Sequence, residues 1–487
     1  FTYETHYNRL ATLLDGIGTT SFAYHPNDGS TDGAGLLARI NGPFTDDTRK
    51  RTYDALNRLK KREIVDDATY STASYSEEYV FDARSRVEDV INSLGTFDYF
   101  YVGQSSRIDY VDYSNGMKTD YTYTNVSGDH LLQQIQHLNS AGTPAVISQF
   151  DYTYRQDRNI DTWTTTQNGG PAKDWTFGYD DALRLQDAVR TNASTQAVLE
   201  QFTYGYDKAG NRISVTTGTT NTNYPANELN QTTSEQGFGA TKFSGTLDEP
   251  ALVTVNGQSA TVMSDGGSAP YTFEALVDLA EGSNTVTIEA TDGNSNVASQ
   301  SYSVTAGGVQ TQLEYDLNGN LRFEKDASGT VLREFQWDAK NRLLKIIDGT
   351  YETEFAYNGI DQRVRIIERE NDVEQSNQVY IWDDTEIVQR RASDGSTIER
   401  NYFDAGFTEG ANDYFYTKDH LGSIREVVAS DGTTVEAVYD YSPWGEVTQI
   451  AGTGVESDFL YTGHFYHGES DLHLTLYRAY NPELGMW

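Results

Sequence analysis

The sequence predicts an all-β protein, and three observations lead to this prediction. The 487 residues include 34 Tyr and 42 Gly but only 3 Met and 9 Pro. Aromatic and β-branched residues favour strands, whereas Asn, Asp and Gly favour turns. A short motif recurs along most of the chain, and the segments beside it alternate between apolar and polar residues, as strands with one buried face do.

The recurring motif is an aromatic residue, an Asp, a short turn containing Gly, Asn or Leu, then Asn or Arg and an aliphatic residue. Its clear copies begin at Tyr53, Phe81, Tyr179, Tyr206, Tyr315, Trp337 and Tyr357. Two degenerate copies begin at Tyr3 and Tyr224. The cleanest copies are spaced to hold a strand, a turn, a strand and a return turn.

Each copy has a simple physical interpretation. The aromatic residue ends a strand and buries its ring, and the Asp accepts backbone N–H groups in an Asx turn. Gly210 and Gly319 are expected to adopt positive φ in that turn. The Arg or Leu starts the return strand. A lone hairpin of this kind is marginal, so the copies are expected to pair sideways in a continuous sheet.

The repeat is interrupted between residues 240 and 306. Short alternating segments such as "ALVTVNG" and "NTVTIEATD" predict a small β-sandwich inserted between two repeats, with Gly307 and Gly308 as its hinge. This stretch resembles an immunoglobulin-like module of bacterial surface proteins. "TDGNSN" is interpreted as a hairpin turn within it.

The last part of the chain carries a family resemblance. Together with the repeats, Tyr414–Val447 resembles the core segment of YD-repeat (rearrangement-hotspot, RHS) proteins. The matching residues of this core segment are Asp419, His420, Leu421, Gly422, Ser423, Arg425, Pro443, Trp444 and Gly445. The segment after it is similar to the core-terminating motif of the family, through Gly463, Tyr477, Arg478, Tyr480, Asn481, Pro482 and Gly485.

The resemblance implies a YD-repeat strand spiral that forms a large hollow β-shell. The expected division is shell over 1–239, an immunoglobulin-like sandwich over 240–306, shell over 307–412, and the core and core-terminating motif over 413–487. In toxin relatives such a shell holds a C-terminal effector domain that is often released by autoproteolysis. In teneurins a similar shell serves adhesion.

The chain departs from the family pattern at a few positions. Asn481 stands where the family usually has Asp, and His464 and His467 fall where Gln and Asp are common. The autoproteolytic residues of the relatives lie in a segment after the core motif, so no catalytic residue is assigned here. Phe1 is interpreted as an internal position, and Trp487 is expected to be buried.

Charge and composition exclude several classes of function. The chain has 36 basic and 72 acidic residues, a net charge of -36, which opposes binding to nucleic acid and insertion into an anionic membrane. It has no Cys, which removes disulfides, thiol catalysis and thiolate metal sites. No apolar run is long enough to span a bilayer.

The remaining candidate sites favour structural roles. His464, His467 and His473 form the only cluster of histidines, but neighbours on a strand alternate between faces, so no metal site is predicted. Asp316, Asn318 and Asn320 mimic the start of a calcium loop, yet turn bonding is the favoured interpretation. The many carboxylates single out no glycosidase pair, and no cofactor is predicted.

Asp419 and Arg425 are the polar residues to which we assign a special role. They are expected to form a buried pair that fixes strand register, an architectural role rather than a catalytic one. The leading functional hypothesis is a shell that encapsulates and delivers a C-terminal toxin or effector domain beyond residue 487, the shell itself being non-catalytic.

The alternative hypothesis is an extracellular or cell-surface adhesion protein with an immunoglobulin-like binding module. Its partner would be a cell-surface or glycan ligand rather than a cargo domain of the same polypeptide. Both hypotheses place the protein outside a bacterial cell or on its surface. An enzyme acting on polysaccharide is the weakest of the three hypotheses.

Overall fold

The computed structural model describes residues 1–218, 220–264, 271–452 and 454–487. Within these ranges the regular elements are strands, apart from the single-turn 3-10 helices Val126–Gly128 and Tyr461–Gly463. The all-β class is therefore confirmed. No helix of the described chain has the length and apolar character needed to cross a bilayer.

The chain divides into two compact units. Unit 1 comprises Phe1–Tyr154, Thr162–Lys173 and Asp338–Trp487, and unit 2 comprises Arg155–Asp161 and Asp174–Trp337. Unit 2 therefore contains the predicted sandwich together with some of the YD repeats. The predicted domain boundaries at 239, 306 and 412 stay predictions.

The strands before the sandwich are numbered in chain order. They are β1 Thr2–Tyr3, β2 Leu10–Leu14, β3 Thr19–Tyr24, β4 Leu37–Asn41, β5 Thr48–Tyr53, β6 Leu59–Val65, β7 Ala73–Phe81, β8 Val87–Asn92, β9 Gly95–Tyr101, β10 Ile108–Tyr113, β11 Lys118–Tyr123, β12 Leu132–Leu138, β13 Val146–Tyr154, β14 Ile160–Gln167, β15 Lys173–Tyr179, β16 Leu185–Asn192, β17 Val198–Tyr206, β18 Arg212–Thr217, β19 Thr220–Asn223 and β20 Ser234–Gln236.

The sandwich and the strands after it continue this numbering. The sandwich strands are β21 Gly239–Leu247, β22 Ala251–Val255, β23 Gln258–Ser259, β24 Thr261–Ser264, β25 Tyr271–Leu279, β26 Gly282–Asp292 and β27 Val297–Ala306. The later strands are β28 Val309–Tyr315, β29 Leu321–Asp326, β30 Val331–Trp337, β31 Leu343–Asp348, β32 Tyr351–Tyr357, β33 Arg363–Glu370, β34 Val373–Asp383, β35 Glu386–Arg391, β36 Ile398–Phe403, β37 Gly406–Glu409, β38 Asn412–Lys418, β39 Ile424–Ala429, β40 Val435–Tyr441, β41 Val447–Gly452, β42 Phe465–His467, β43 Leu472–Leu474 and β44 Ala479–Tyr480.

Within each unit, neighbouring strands of the repeats pair antiparallel in chain order. In unit 1 this holds from β5 through β9 and from β31 through β41. The register slips by one residue at the aromatic position of the motif, as at Tyr53, Phe81 and Tyr357. This slip is a β-bulge, which bends the strand and increases its twist.

The Asp of each repeat clamps its own turn. Asp54 Oδ1 accepts the backbone N–H groups of Leu56 and Arg58, at 2.9 and 3.0 Å. Its Oδ2 accepts the side-chain Nε–H of Arg58 at 2.6 Å. Asn57, between them, has φ of 61°. Turns starting at Asp82, Asp180 and Asp338 repeat this pattern with Arg.

Two predicted details of the repeat are confirmed, and one contact is new. Gly210 and Gly319 have φ of 96° and 89°. The new contact links one turn to the next aromatic residue, as at Arg342, whose guanidinium lies 4.8 Å from the ring centre of Tyr357. The Tyr357 hydroxyl donates to the carbonyl of Leu343, the residue after that Arg, at 2.9 Å. Arg86 and Tyr101 repeat this arrangement.

The inserted segment is a two-layer sandwich, as predicted. One sheet has the order β21-β25-β24 and the other β23-β22-β26-β27. Their inner faces enclose an apolar core in which Val255 and Val286 are fully buried. The "TDGNSN" segment forms the β26–β27 hairpin, and Asp292 clamps it in the same way as the Asp of a YD turn.

Strand pairing bypasses the sandwich. β20 pairs directly with β28, so that Ser234 lies opposite Gln312. Gly237 N–H donates to the Gly308 carbonyl at 3.0 Å, and a Cβ on Gly237 would lie 2.7 Å from Cα of Gly307. The two connections therefore leave the sheet side by side through glycines, because no side chain fits between them.

Unit 1 has a packed apolar core of its own. The core joins side chains of β6 to β13 with side chains of β34 to β39, including Phe97 and Phe415, which are each 1% exposed. The rings of Tyr75 and Phe403 stack across it with centroids 4.8 Å apart. Burial of these side chains stabilises the face of the sheet that carries the candidate site.

Candidate functional site

Asp419 starts a turn that resembles the YD turns. Its Oδ1 accepts the N–H groups of Leu421 and Ser423 at 2.9 and 3.1 Å, and Gly422 has φ of 81°. Its Oδ2 accepts from Arg425, two residues further along the chain than the Arg of a YD turn. The turn thus points a fully buried carboxylate at the first residues of β39.

Arg425 is the centre of a buried ionic cluster. Its Nε and Nη2 lie 2.9 and 2.8 Å from Asp419 Oδ2, and its Nη1 lies 3.0 Å from Asp440 Oδ1. The guanidinium also stacks near the rings of Trp163 and Tyr441, each at 4.8 Å. Burial lowers the pKa of Arg425, but the two carboxylates more than offset this effect, so the net pKa is raised and the side chain stays charged.

Two further groups complete the cluster. Lys173 Nζ contacts the second oxygen of Asp440 at 3.1 Å. Two cations therefore face two carboxylates, and the cluster is neutral as a whole. His420 packs edge-on against the rings of Tyr152 and Trp163, and burial lowers its pKa. This arrangement can cross-link strands, because each charge is held by partners within the protein.

Glu426 lies beside Arg425 on the strand, in a separate environment. It is fully buried and accepts a hydrogen bond from the Thr417 hydroxyl. Gln167 Nε2 donates to its other oxygen at 3.2 Å. Burial raises the pKa of Glu426 to about 7, because these neutral donors compensate only part of the lost hydration.

The C-terminal segment (residues 454–487) is attached to this cluster. Ile424 N–H donates to the Leu460 carbonyl at 3.1 Å, and Thr462 N–H donates to the Ser423 hydroxyl at 3.1 Å. The segment then forms the small sheet β42-β43-β44. Gly463, with φ of 70°, makes the turn that leads into this sheet. Residues on both sides of Arg425 thus hold the segment.

Pro443, Trp444 and Gly445 supply carbonyl groups that hold the same segment. Tyr461 and Tyr480 hydroxyls donate to the carbonyls of Pro443 and Trp444, at 3.2 and 2.8 Å. His473 Nε2–H donates to the Gly445 carbonyl at 3.0 Å. A Cβ on Gly445 would lie 2.3 Å from the Tyr461 ring, so this position requires glycine.

The final turn is closed by Asn481. Its backbone exchanges two hydrogen bonds with Met486, at 2.8 and 3.2 Å. Its side-chain oxygen accepts the Leu484 N–H at 3.0 Å. Pro482 is buried and Gly485 has φ of 64°. The amide of Asn481 thus performs here the turn-capping role of the Asp that is usual in the family.

Three residues of the terminal motif lie at the surface. Tyr477 is 65% exposed, and Arg478 is also exposed. The structure therefore does not bring these two residues to the cluster. The expectation that Trp487 is buried is wrong, because this side chain is 57% exposed. It rests its ring on Tyr480 and His464 instead.

The clustered histidines bind protein groups. His467 Nδ1 lies 2.7 Å from the Ser470 hydroxyl, and His464 Nδ1 lies 2.7 Å from the Thr462 hydroxyl. Among the described residues, no three His, Asp or Glu side chains converge as metal ligands would. Asp316 likewise directs its carboxylate to Asn318 and Asn320 of its own turn.

Sequence reasoning missed half of the cluster. Asp440 stands in an aromatic-Asp pair of the "YDYSPWG" stretch, and that pattern was the signal that could have found it. Lys173 and Trp163 come from far upstream, and nothing in their local sequence points to Asp440 or Arg425. Glu426 follows Arg425 directly, but burial of an acidic residue leaves no signature in one sequence.

Comparison with known proteins gives one family match. Residues 230–307 match the model of the family "Glucodextranase, domain B", a range that spans the sandwich. No curated protein sequence matches the chain.

Solved structures of toxin complexes share a distant likeness with the chain. A crystal structure of TcdB2-TccC3 matches 99% of this chain and 25% of its own, with 14% identity and a TM-score of 0.44. The Photorhabdus luminescens Tc holotoxin pore matches 99% of this chain and 24% of its own, with 14% identity and a TM-score of 0.44. The chain spans about a quarter of the length of these solved chains.

Proposed function

We propose that this chain is part of a β-shell that encloses a toxin or effector domain lying C-terminal to residue 487 in the same polypeptide. The observation that carries the proposal is the attachment of the C-terminal segment to the Arg425 cluster. In the YD-repeat family this segment marks the junction with the cargo, and here it is anchored through Leu460 and Thr462. An anchored junction fixes the place where an enclosed chain would begin.

The chain described here would supply only part of the enclosure, and the hollow interior belongs to the proposal. Two cavities of unit 1 measure about 620 and 520 Å³, a size that suits small molecules rather than a folded domain. We also propose that the shell is non-catalytic, since Asp419 and Arg425 are engaged with each other. The protein would act after secretion or at the surface of a bacterial cell.

Protease protection of the full-length gene product tests the shell proposal. The polypeptide after residue 487 should resist proteinase K while the shell is native, and should be digested once the shell is unfolded. The same polypeptide expressed alone is the control, and should be digested at once. Equal digestion in both settings, or a reading frame that stops within a few residues of Trp487, would overturn the proposal.

A second candidate function is glycan binding by the sandwich at a cell surface. It is favoured by the match of residues 230–307 to a domain family named for a glucodextranase, which is an association of fold rather than of site. Retention of the full chain on immobilised α-glucans, reversed by free glucan, would support it. A chain that passes through glucan and other glycan columns without delay would exclude it.

A further inference from the structure

Strand β27 has one side without a partner in the described structure. It lies at the edge of the sheet β23-β22-β26-β27. One side pairs with β26 along the whole strand, from Ala306 opposite Gly282 to Val297 opposite Thr291. The first seven residues of β27 are all exposed. Its outer backbone N–H and C=O groups are therefore open to a further strand.

This edge lacks the features that normally protect one. Exposed edge strands usually carry Lys, Pro or a bulge, which prevent pairing with other chains. The sequence of β27, "VASQSYSVTA", contains no charged residue and no Pro. Its pairing with β26 shows no register shift. In a protein of net charge -36, ten consecutive uncharged residues at an open edge mark an interaction surface.

We propose that β27 pairs antiparallel with β27 of a second copy of this chain. The residue order specifies this occupant, because the strand reads nearly the same in both directions from Ser301. A two-fold axis at Ser301 places Ser299 opposite Ser303 and Ala298 opposite Val304. Such a contact uses the same surface on both copies, as two-fold dimers require.

The faces of the strand also match in this register. Tyr302 lies opposite Val286 of β26, on the side of the sheet that faces the sandwich core. Val286 is fully buried, whereas Tyr302 is 47% exposed at the open end of that core. In the pair, Gln300 of the second copy would lie directly opposite Tyr302 and cover its ring. Ser and Thr side chains would meet on the other face.

The expected association is weak and depends on salt. An edge contact of one strand is smaller than the interface of a standard stable complex, which buries about 1,600 Å². The large net negative charge of each copy opposes association, and salt screens that repulsion. We therefore expect more dimer at high protein concentration and at higher ionic strength.

Disulfide capture in the full chain tests both the partner and the register. The protein has no Cys, so Ser301→Cys introduces a single thiol at the proposed axis. Directly opposed residues in antiparallel strands have Cα atoms about 4.5–5.5 Å apart, within disulfide range. Ser299→Cys is the matched control, because its thiols would lie about 13 Å apart along the paired strands.

Mild oxidation should give roughly tenfold more covalent dimer with Ser301→Cys than with Ser299→Cys, since only the first geometry permits a disulfide. Thr287→Cys, on the neighbouring strand β26, should behave like Ser299→Cys. Sedimentation of the unmodified chain should show a dimer at high concentration, which Ser301→Lys should abolish. Equal crosslinking of the three cysteine variants, or a monomer at every concentration and salt, would overturn the proposal.

Discussion

The guanidinium of Arg425 approaches a single carboxylate oxygen of Asp419 through two nitrogens, at 2.9 and 2.8 Å. Both side chains are excluded from solvent. Asp440 balances the remaining side of the guanidinium. A buried pair of this kind adds little net stability when it is intact, but removing one partner leaves an uncompensated charge. The contact therefore acts mainly to fix how β39 meets its neighbours.

Removal of the Asp419 carboxylate should cost far more than removal of a similar carboxylate at the surface. We expect Asp419→Ala to lower the free energy of unfolding by about 3–5 kcal/mol, the usual range for breaking a buried pair. Asp338→Ala, in a partly exposed YD turn, should cost only about 1–2 kcal/mol. Urea unfolding followed by fluorescence measures both. Equal losses would show that the buried pair has no special weight.

Glu426 should make the protein less stable as the pH rises. Its pKa is about 7 in the folded protein because of burial and ordinary in the unfolded chain, so the folded state holds the proton more tightly. Stability should fall between about pH 4.5 and 7, by at most about 3 kcal/mol. Glu426→Gln should remove this loss and be the more stable form at pH 8.

The comparison of melting temperatures between the two proteins isolates this effect from other titrating groups. Glu426→Gln and the unmodified protein should melt at similar temperatures near pH 4.5 and diverge above it. A difference that does not change with pH would mean that Glu426 is already ionised in the folded protein.

Gly445 should tolerate no side chain. It has φ of 94°, and a Cβ would meet the Tyr461 ring at 2.3 Å. Gly410 also has positive φ, but a Cβ added there would meet nothing within 4 Å. Gly410→Ala should therefore cost only the backbone strain of about 1–2 kcal/mol, and Gly445→Ala should cost clearly more. Thermal unfolding of both variants checks this ordering.

The repeated contact between a turn and the next aromatic residue should contribute measurable stability. Tyr357→Phe keeps the ring over Arg342 but loses the hydrogen bond to the Leu343 carbonyl. We expect a loss of about 1 kcal/mol. Tyr3→Phe, at a site that is 55% exposed, should change stability by less than about 0.5 kcal/mol. No difference between them would mean that the hydroxyl is dispensable.

Local features of the fold could be predicted from the sequence, and long-range ones could not. The Asp54 turn depends on residues two and four positions away, so its pattern is visible in the letters themselves. The same is true of the alternating strands of the sandwich. The contact of Lys173 with Asp440 joins distant strands, and a single sequence carries no record of such a pairing.

The terminal motif shows the same limit. Asn481, Pro482 and Gly485 form the turn that their residue types predict. The exposure of Trp487 was not predictable, because it depends on how the small sheet β42-β43-β44 lies in unit 1. A dense aromatic sequence indicates contact between rings, and Trp487 does touch Tyr480, but it does not specify which face is covered.

Hydrogen exchange of the C-terminal segment tests most directly whether the Arg425 cluster anchors the junction. Arg425→Lys keeps the positive charge but lacks the forked geometry that engages Asp419 and Asp440 together. Arg342→Lys makes the same change in an ordinary YD turn. We predict faster amide exchange across residues 454–487 in Arg425→Lys and unchanged exchange there in Arg342→Lys. Exchange in that segment that matches the unmodified protein in both variants would contradict the anchoring role.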